Sequence, residues 1–331
     1  MRRISVSLSW SSHDDVDQFV EQAKVADDSG VAVLFTGENW RREAFTPMAV
    51  LARETKHAQL GTAIVNIWSR SAAALAEHFA TIDELAGGRV IIGLGASSAN
   101  VAEGFAGVPY KRPLRRMREY IEIMNMLISG APLQYHGELF QLERGFRLEI
   151  NNPRPHIPVY IAATSPASVR QTAEIADGWM PIQIPRSQWK AATGEFYEHA
   201  RQAGRDPSEL TIKTANSIYV TDDPGPELEK TRGTVAFYIA RMGDGYYNQF
   251  AQRGFRDMAD AVRAAWAEGG SKAGAEAVPP EFAEQMFFAG PPEACAEHLD
   301  ELEEAGFNLH SVQIAERDPA KRASIYRTLV G

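Results

Sequence analysis

The stretch that decides the fold is SAAALAEHFATIDELAGGRVIIGLGASS, residues 71–98. Its first half predicts a helix over about 71–86. Gly87-Gly88 predicts the end of that helix, because glycine readily adopts the left-handed conformation that often follows a helix. Arg89–Leu94 is a short apolar run of the kind that forms a buried strand, and a turn of small polar residues follows it. A helix, a tight connection and a buried strand make one unit of an α/β fold.

The same alternation extends from this unit in both directions along the chain. Asp14 is expected to cap the helix after the first strand, and Tyr135–Phe140 predicts a hairpin. The stretch 221–290 breaks the rhythm and predicts a helical insertion or lid. The predicted strands are Ile4–Trp10, Val31–Thr36, Ala58–Val65, Arg89–Leu94, Val159–Ala162, Gly178–Pro181, Leu210–Val220 and 309–315.

Eight strand–helix units fit either an open doubly wound sheet or a closed barrel. The chain has 331 residues, and its composition does not change halfway along. Length and uniformity favour a single α/β domain over 1–331, a (β/α)8 TIM barrel with an insertion at 221–290. In such a barrel the active site lies at the carboxyl ends of the strands, so those positions are the ones to inspect.

Composition excludes several classes of protein. Hydrophobic residues make up 44% and charged residues 23% of the chain, as in an ordinary globular protein. A single cysteine, Cys295, excludes a disulfide framework and a cysteine-cluster metal site, so we expect no metal and a cytoplasmic protein. The net charge of −9 disfavours nucleic acid as a partner. No apolar run is long enough to cross a membrane, and the first residues read as a strand.

Polar and aromatic side chains follow the first five predicted strands. Aromatic walls with a few well-placed amides suit a flat ring ligand such as a flavin. The residues at these strand ends are Ser9, Trp10 and His13, then Glu38, Asn39 and Trp40, then Ala63, Ile64, Asn66 and Trp68, then Ser97 and Ser98, and finally Ala163, Thr164 and Ser165.

Ordinary structural roles compete with these functional ones. Glu38 is equally suited to cap a helix or to pair with Arg41 or Arg42, and the tryptophans are suited to packing at the top of the barrel. Thr164-Ser165-Pro166 precedes a helix, where unsatisfied amides favour an anion such as a phosphate. The same turn is suited to plain capping of that helix.

Four segments resemble the bacterial luciferase-like superfamily and, within it, the deazaflavin (coenzyme F420)-dependent oxidoreductases. They are Leu60–Arg70, Thr81–Arg89, Ile92–Ser98 with Glu103–Phe105 and Gly107, and Ala162–Pro166 leading to Ala176–Trp179. The resemblance implies a ring held against strand 3, with a cis peptide at Ala63–Ile64. It also implies a phosphate at Ala163, Thr164 and Ser165, and a cofactor-lining loop at Ser97, Ser98 and Val101.

The chain departs from the part of the superfamily that oxidises sugar phosphates and alcohols. Those relatives carry a histidine after strand 2 and a glutamate in the strand-4 loop, where this chain has Asn39 and Ser98. The resemblance therefore implies reduction of an activated C=C, C=N or nitro group of a small substrate. The catalytic candidates are Glu38, Asn39, Glu103 and His13, with Glu38 the first candidate proton donor.

The cofactor decides the reaction class, because a deazaflavin favours hydride transfer whereas reduced FMN reacts with oxygen. Coenzyme F420 carries an oligoglutamate tail, which the basic run Lys111–Arg118 suits. A solvated helix face balanced by Glu119 and Glu122 explains that run equally well. An FMN-dependent monooxygenase is the alternative enzyme, and an inactive flavin binder or a subunit of a mixed complex is the alternative outside catalysis.

Two further expectations concern assembly and substrate. Because many relatives form dimers, the resemblance implies a homodimer. Five aromatic residues of the insertion are suited either to a substrate wall or to packing inside the lid. They are Phe237, Tyr238, Tyr246, Tyr247 and Phe250.

Overall fold

A computed structural model describes residues 1–8, 15–39, 42–151 and 154–331. Its strands are β1 (Ile4–Ser7), β2 (Val33–Thr36), β3 (Gln59–Thr62), β4 (Val65–Asn66), β5 (Val90–Gly95), β6 (Tyr135–His136), β7 (Gln141–Leu142), β8 (Val159–Ala162), β9 (Gly178–Trp179), β10 (Thr211–Ile212), β11 (Ile218–Val220), β12 (Phe288–Gly290) and β13 (His310–Ile314). Its helices are α1 (Val16–Asp28), α2 (Phe45–Glu54), α3 (Ala72–Leu85), α4 (Ala99–Gly104), α5 (Pro113–Ile128), α6 (Pro166–Ile175), α7 (Trp189–Gln202), α8 (Gly225–Arg241), α9 (Asp244–Phe250), α10 (Arg256–Glu276), α11 (Pro280–Gln285), α12 (Pro292–Glu304) and α13 (Pro319–Val330).

Eight parallel strands form the barrel, in the order β1, β2, β3, β5, β8, β9, β10, β13. β13 pairs with β1, and a parallel bridge between Lys213 and Leu309 joins the end of β10 to the start of β13. The ring of strands thereby closes. The predicted (β/α)8 barrel is confirmed.

Alternate residues of each strand face opposite sides of the barrel. Leu34, Ile92 and Ile161 belong to the large outer core that the surrounding helices cover. Phe35 and Ile91 belong to a separate apolar cluster. This second cluster fills the barrel interior and also contains Val33, Tyr160, Met180 and Leu309.

Two predicted strands are each divided in two. Ala58–Val65 becomes β3 and β4, and Leu210–Val220 becomes β10 and β11. In the second case side chains replace part of the strand ladder, since Thr214 Oγ1 accepts from Ser311 N at 2.8 Å and Asn216 Nδ2 donates to Ile184 O at 2.9 Å.

The cap of α1, the hairpin and the helix α4 differ in how well the sequence predicts them. The N-cap of α1 is Asp15, whose side chain accepts from Asp17 N, whereas the expected cap Asp14 lies outside the described residues. The hairpin is confirmed, because β6 and β7 pair antiparallel. The short helix α4 was not predicted, since six residues of mixed character carry no periodic signal.

The stretch 221–290 contains helices α8 to α11 and the strand β12, which pairs with β11. The helices share an apolar cluster of their own, which includes Val235, Ile239, Phe250 and Phe282. These four helices are the helical insertion near the carboxyl end of the chain that the predicted fold includes. Among the helices of the described ranges, none is both long and apolar enough to span a bilayer.

Candidate active site

A cavity of about 1720 Å³ lies at the carboxyl ends of the barrel strands, with helices of the insertion forming part of its wall. Barrel topology brings these distant segments together, because parallel strands end at the same face. The cavity collects most of the predicted site residues, namely Glu38, Asn39, Ala63, Ile64, Asn66, Ser97, Ser98, Val101, Ala163, Thr164 and Ser165.

Other expected site residues lie elsewhere. Ser9, Trp10, His13 and Trp40 fall outside the described residues. Glu103 is exposed and does not line the cavity, and its carboxylate accepts from Tyr110 N at 3.0 Å.

Trp68 does not face the cavity, contrary to expectation. It is 3% exposed, and its indole N–H donates to Ala96 O at 2.6 Å. Its ring packs against Tyr110 and Arg116. Trp68 therefore packs behind the wall of the cavity, in agreement with the alternative that the tryptophans pack at the top of the barrel.

The wall at strand 3 is a bulge between β3 and β4. The Ala63–Ile64 peptide bond is cis, as predicted. Ala63 N donates to Thr36 O at 2.7 Å, and Ile64 O accepts from Glu38 N at 3.2 Å, so neighbouring segments hold the bulge in place. Both residues line the cavity, and their side chains offer an apolar surface suited to the face of a ring.

Glu38 takes part in a polar network beside this bulge. Its Oε2 lies 2.7 Å from Arg70 Nη1, and its Oε1 accepts from Arg70 Nη1 at 2.9 Å and from Asn66 Nδ2 at 3.3 Å. Asn66 Oδ1 in turn accepts from Trp68 N and Ser69 N. Arg70 and Asn66 thus engage both carboxylate oxygens of Glu38. The geometry thus favours a positioning role for Glu38 over the expected role of proton donor.

The turn before α6 combines capping with a free hydroxyl. Ser165 is the N-cap, its Oγ accepting from Ser168 N at 3.3 Å. Ser168 Oγ accepts from Thr164 N at 3.2 Å and Ser165 N at 3.0 Å. Thr164 Oγ1 makes no hydrogen bond to a described residue and lines the cavity with Ser165. Ser165 therefore caps the helix, and the hydroxyl of Thr164 remains available to bind a ligand.

Apart from Glu38 Oε2, whose contact is the ion pair with Arg70, two buried polar atoms on the cavity wall have no hydrogen-bond partner in the described chain. They are Ser98 Oγ and Gln183 Oε1, which make no hydrogen bond within the described chain. Buried polar atoms are normally paired, so each suits a ligand that presents hydrogen-bonding groups. The polar edge of a flavin-type ring has such groups, and the flat face of the same ring suits the apolar bulge nearby.

Lys213 was not among the predicted site residues. It follows β10, lines the cavity, and its ammonium has no ion pair or hydrogen bond with the described residues. Burial lowers its pKa to about 8. A lysine inside the otherwise uncharged run Leu210–Thr214 is the sequence signal that points to it.

The basic run Lys111–Arg118 is mostly paired. Arg115 pairs with Glu119, Arg112 with Glu138 and Arg118 with Glu174. Arg116 stacks over Trp68, 4.7 Å from the ring centroid, and donates to Ile67 O. Glu122 does not balance this run but bonds the hydroxyl of Tyr135. Three of the five cations in the run are therefore paired with carboxylates, whereas Arg116 packs on Trp68 and Lys111 has no ion pair within the described chain.

The aromatic residues of the insertion divide between both expected roles. Phe237, Tyr238 and Tyr246 line the cavity, and the two tyrosine rings lie 4.6 Å apart. Burial raises the pKa of Tyr238, which therefore stays neutral. Tyr247 bonds Asp260 and Phe250 is buried in the cluster of the insertion.

Two proteins with similar sequences are named for a cofactor or a reaction. The chain is 28% identical over 93% of its length, and 93% of the relative's, to a Mycobacterium tuberculosis protein provisionally named a coenzyme F420-dependent oxidoreductase. It is 27% identical to the 5,10-methylenetetrahydromethanopterin reductase of Archaeoglobus fulgidus, over 86% of this chain and 85% of the relative.

A solved structure shares the fold. The coenzyme F420-dependent tetrahydromethanopterin reductase of Methanopyrus kandleri superposes with a TM-score of 0.81 at 21% identity, covering 99% of this chain and 98% of that one. The family described as luciferase-like monooxygenase matches residues 3–309. The chain therefore belongs to the luciferase-like monooxygenase family.

Proposed function

We propose that this protein is a coenzyme F420-dependent oxidoreductase that reduces an activated C=C, C=N or similar group of a small organic substrate. The observation that carries the proposal is similarity, over nearly the whole chain, to relatives named for coenzyme F420 or for a reductase reaction. The cavity at the barrel mouth is large enough for a ring cofactor and a substrate together.

The residues that we propose to hold the cofactor line the cavity. The ring would lie against Ala63 and Ile64, with its polar edge toward Ser98 and Gln183. A phosphate would meet Thr164 Oγ1 at the start of α6, where the helix dipole favours an anion. The bound cofactor, when reduced, supplies a hydride. Ser97 and Val101 complete the wall on the side of β5.

Reduction is favoured over oxidation of an alcohol. An alcohol oxidation needs a base to take the hydroxyl proton. Asn39 and Ser98 stand where the resemblance implies a histidine and a glutamate, and neither amide nor hydroxyl serves readily as such a base. The two carboxylates after β2 that line the cavity are both engaged, since Glu38 pairs with Arg70 and Glu43 accepts from Phe45 N and Thr46 N.

Single-turnover experiments test this proposal. Purified protein is mixed without oxygen with reduced coenzyme F420 and, separately, 2-cyclohexen-1-one, 1-pyrroline or nitrobenzene. We expect at least one of these acceptors to oxidise the coenzyme at a rate that air does not change. The alternative is an FMN-dependent monooxygenase. Product formation that requires reduced FMN and oxygen, with coenzyme F420 inert, would favour that alternative.

We also propose a homodimer that works in the cytoplasm on a small-molecule substrate. The resemblance supports the dimer, and the enclosed cavity supports the small substrate. Light scattering tests the first point, since a dimer has twice the 36.5 kDa of one chain.

A further inference from the structure

We propose that Lys213 is the proton donor of this site, giving a proton to the substrate atom next to the one that receives hydride. The inference rests on the proposed function and adds to it a catalytic residue on the substrate side of the cavity. Three features of the structure carry it: the place of Lys213 in the barrel, its lack of partners, and its surroundings.

Lys213 lies across the barrel from Ala63 and Ile64, against which we propose that the cofactor ring lies. Counting round the ring of strands, β10 is four strands from β3 in either direction, so the two lie diametrically opposite. Ala63 and Ile64 follow β3, and Lys213 follows β10. A ring lying on the bulge turns its free face toward the β10 side, and a substrate stacked on that face comes between the ring and Lys213.

Lys213 also carries a charged group that is free to contact a ligand in the cavity. Five other charged side chains line the described part of the cavity, and each is engaged. Glu38 pairs with Arg70, and Asp244 pairs with Arg263 at 2.9 Å. Glu43 accepts from Phe45 N and Thr46 N, and Arg42 is likewise not without a partner. The Lys213 ammonium has no such partner among the described residues, so its protons are free to meet a substrate.

The surroundings of Lys213 keep its proton transferable. The apolar residue Met180 directly follows β9, Leu309 directly precedes β13 and bridges to Lys213, and burial lowers the pKa of Lys213 to about 8. An acid whose pKa lies near the working pH is both protonated and able to release its proton. Tyr219 and Tyr238 also line the cavity, but burial raises the pKa of both phenols, which makes them weaker acids.

The step balances as follows for a C=C or neutral C=N acceptor. One atom of the double bond would receive the hydride that a bound, reduced coenzyme supplies. An N–H bond of Lys213 breaks, and its proton forms a new C–H or N–H bond at the neighbouring atom. The substrate gains two electrons, which the coenzyme loses. The neutral amine regains a proton from water, and the balance closes because the second hydrogen of the reduced coenzyme would end as a proton in water.

The test compares Lys213→Met, Lys213→Arg and a surface control, Lys190→Met, an exposed lysine on α7. Each protein is titrated with coenzyme F420 by fluorescence, and the single-turnover rate with 2-cyclohexen-1-one, 1-pyrroline or nitrobenzene is then measured from pH 6 to pH 10. We expect both Lys213 variants to bind the coenzyme within about twofold of wild type and to lose about 10²–10⁴-fold in rate. Lys190→Met keeps the wild-type rate.

The pH profile and the arginine variant separate proton donation from simple charge. The wild-type rate should fall above about pH 8, as Lys213 loses its proton, and that decline should be missing in Lys213→Met. Recovery of the rate in Lys213→Arg would overturn the proposal, because arginine keeps the charge but is a far weaker acid. An unchanged rate in Lys213→Met would overturn it too, leaving the proposed function intact. A wild-type protein inactive with all three acceptors would overturn both.

Discussion

An ammonium group that is partly withdrawn from water and has no counter-ion destabilises the folded chain wherever it is charged, because it has lost part of its hydration. Lys213 is such a group. Its folded pKa of about 8 lies below its ordinary 10.5, so between these values the unfolded chain binds more protons than the folded one. The free energy of unfolding therefore rises as the pH rises through this interval.

We predict that the cofactor-free protein gains up to about 2–3 kcal/mol in unfolding free energy between pH 8 and pH 10 from this lysine. The gain is the difference between wild type and Lys213→Met, measured by urea denaturation at each pH. The difference removes contributions from other groups, among them the buried tyrosines. Parallel curves for the two proteins would show that Lys213 titrates normally, and its role as an acid would lose its support.

Glu38→Gln tests the positioning role of that carboxylate. Glutamine keeps one oxygen that can accept from Arg70 and Asn66, so the substitution weakens the hydrogen-bond network but does not remove it. We expect a loss in single-turnover rate of no more than about tenfold, with the decline above pH 8 retained. A loss of about 10²–10⁴-fold, the range for removing a general acid, would return Glu38 to the role of proton donor.

Where a local signal exists, the sequence points to residues that line the cavity. Ala63, Ile64, Thr164 and Ser98 stand at or just after the ends of predicted strands, and all line the cavity. Partners depend on long-range contacts, so the pairing of Glu38 with Arg70, 32 residues away, had no local signature. Lys213 was overlooked because a charged residue near a strand end looks like a surface residue until the direction of its side chain is known.

At the scale of single elements, the start of α6 separates two roles of neighbouring hydroxyls. Thr164→Val removes a hydroxyl that has no partner in the described chain and keeps the shape of the side chain. We expect it to weaken coenzyme F420 binding by about tenfold or more, since a hydrogen bond to a charged group contributes about 1.5–3 kcal/mol, without changing stability. Fluorescence titration measures the affinity.

Ser165→Ala is the matched variant, because it removes the N-cap of the same helix. It should lower the unfolding free energy by about 0.5–2 kcal/mol. Unchanged affinity in Thr164→Val would place the phosphate elsewhere. The sequence predicted both capping and phosphate binding for this turn, and only the hydrogen-bond geometry assigned the cap to Ser165.

The hairpin of β6 and β7 is held by one buried carboxylate. Glu119 on α5 accepts from the backbone N–H groups of Glu138, Leu139 and Phe140 and from Arg115 Nε. Burial alone raises the pKa of Glu119, but these hydrogen bonds outweigh burial and hold the pKa below its usual 4.5. Its contribution to stability is therefore present above about pH 4.5 and is lost as the pH falls through the lowered value.

Glu119→Gln should lower the unfolding free energy at pH 7 by about 1–3 kcal/mol, because an uncharged amide replaces an acceptor of four hydrogen bonds. Glu149→Gln is the control, since Glu149 is exposed and has no side-chain partner in the described chain. Urea denaturation at pH 7 and pH 4 measures both. Equal stability of the two variants at pH 7 would contradict this account of the hairpin.

At the scale of the whole molecule, the fold follows from a repeated local pattern. The unit at 71–98 recurs along the chain, and buried parallel strands joined by helices have few possible arrangements. The repeat does not specify where a strand breaks. β10 separates from β11 because side chains such as Thr214 and Asn216 bond backbone groups, and the cavity opens beside this break.

The central claim is that the cavity binds coenzyme F420 in preference to FMN. Titration of the purified protein with each cofactor, followed by ring fluorescence and absorbance, tests it most directly. We predict a dissociation constant for coenzyme F420 at least about tenfold below that for FMN, a difference of about 1.4 kcal/mol or more. Tighter binding of FMN, together with oxygen-dependent product formation, would contradict the account.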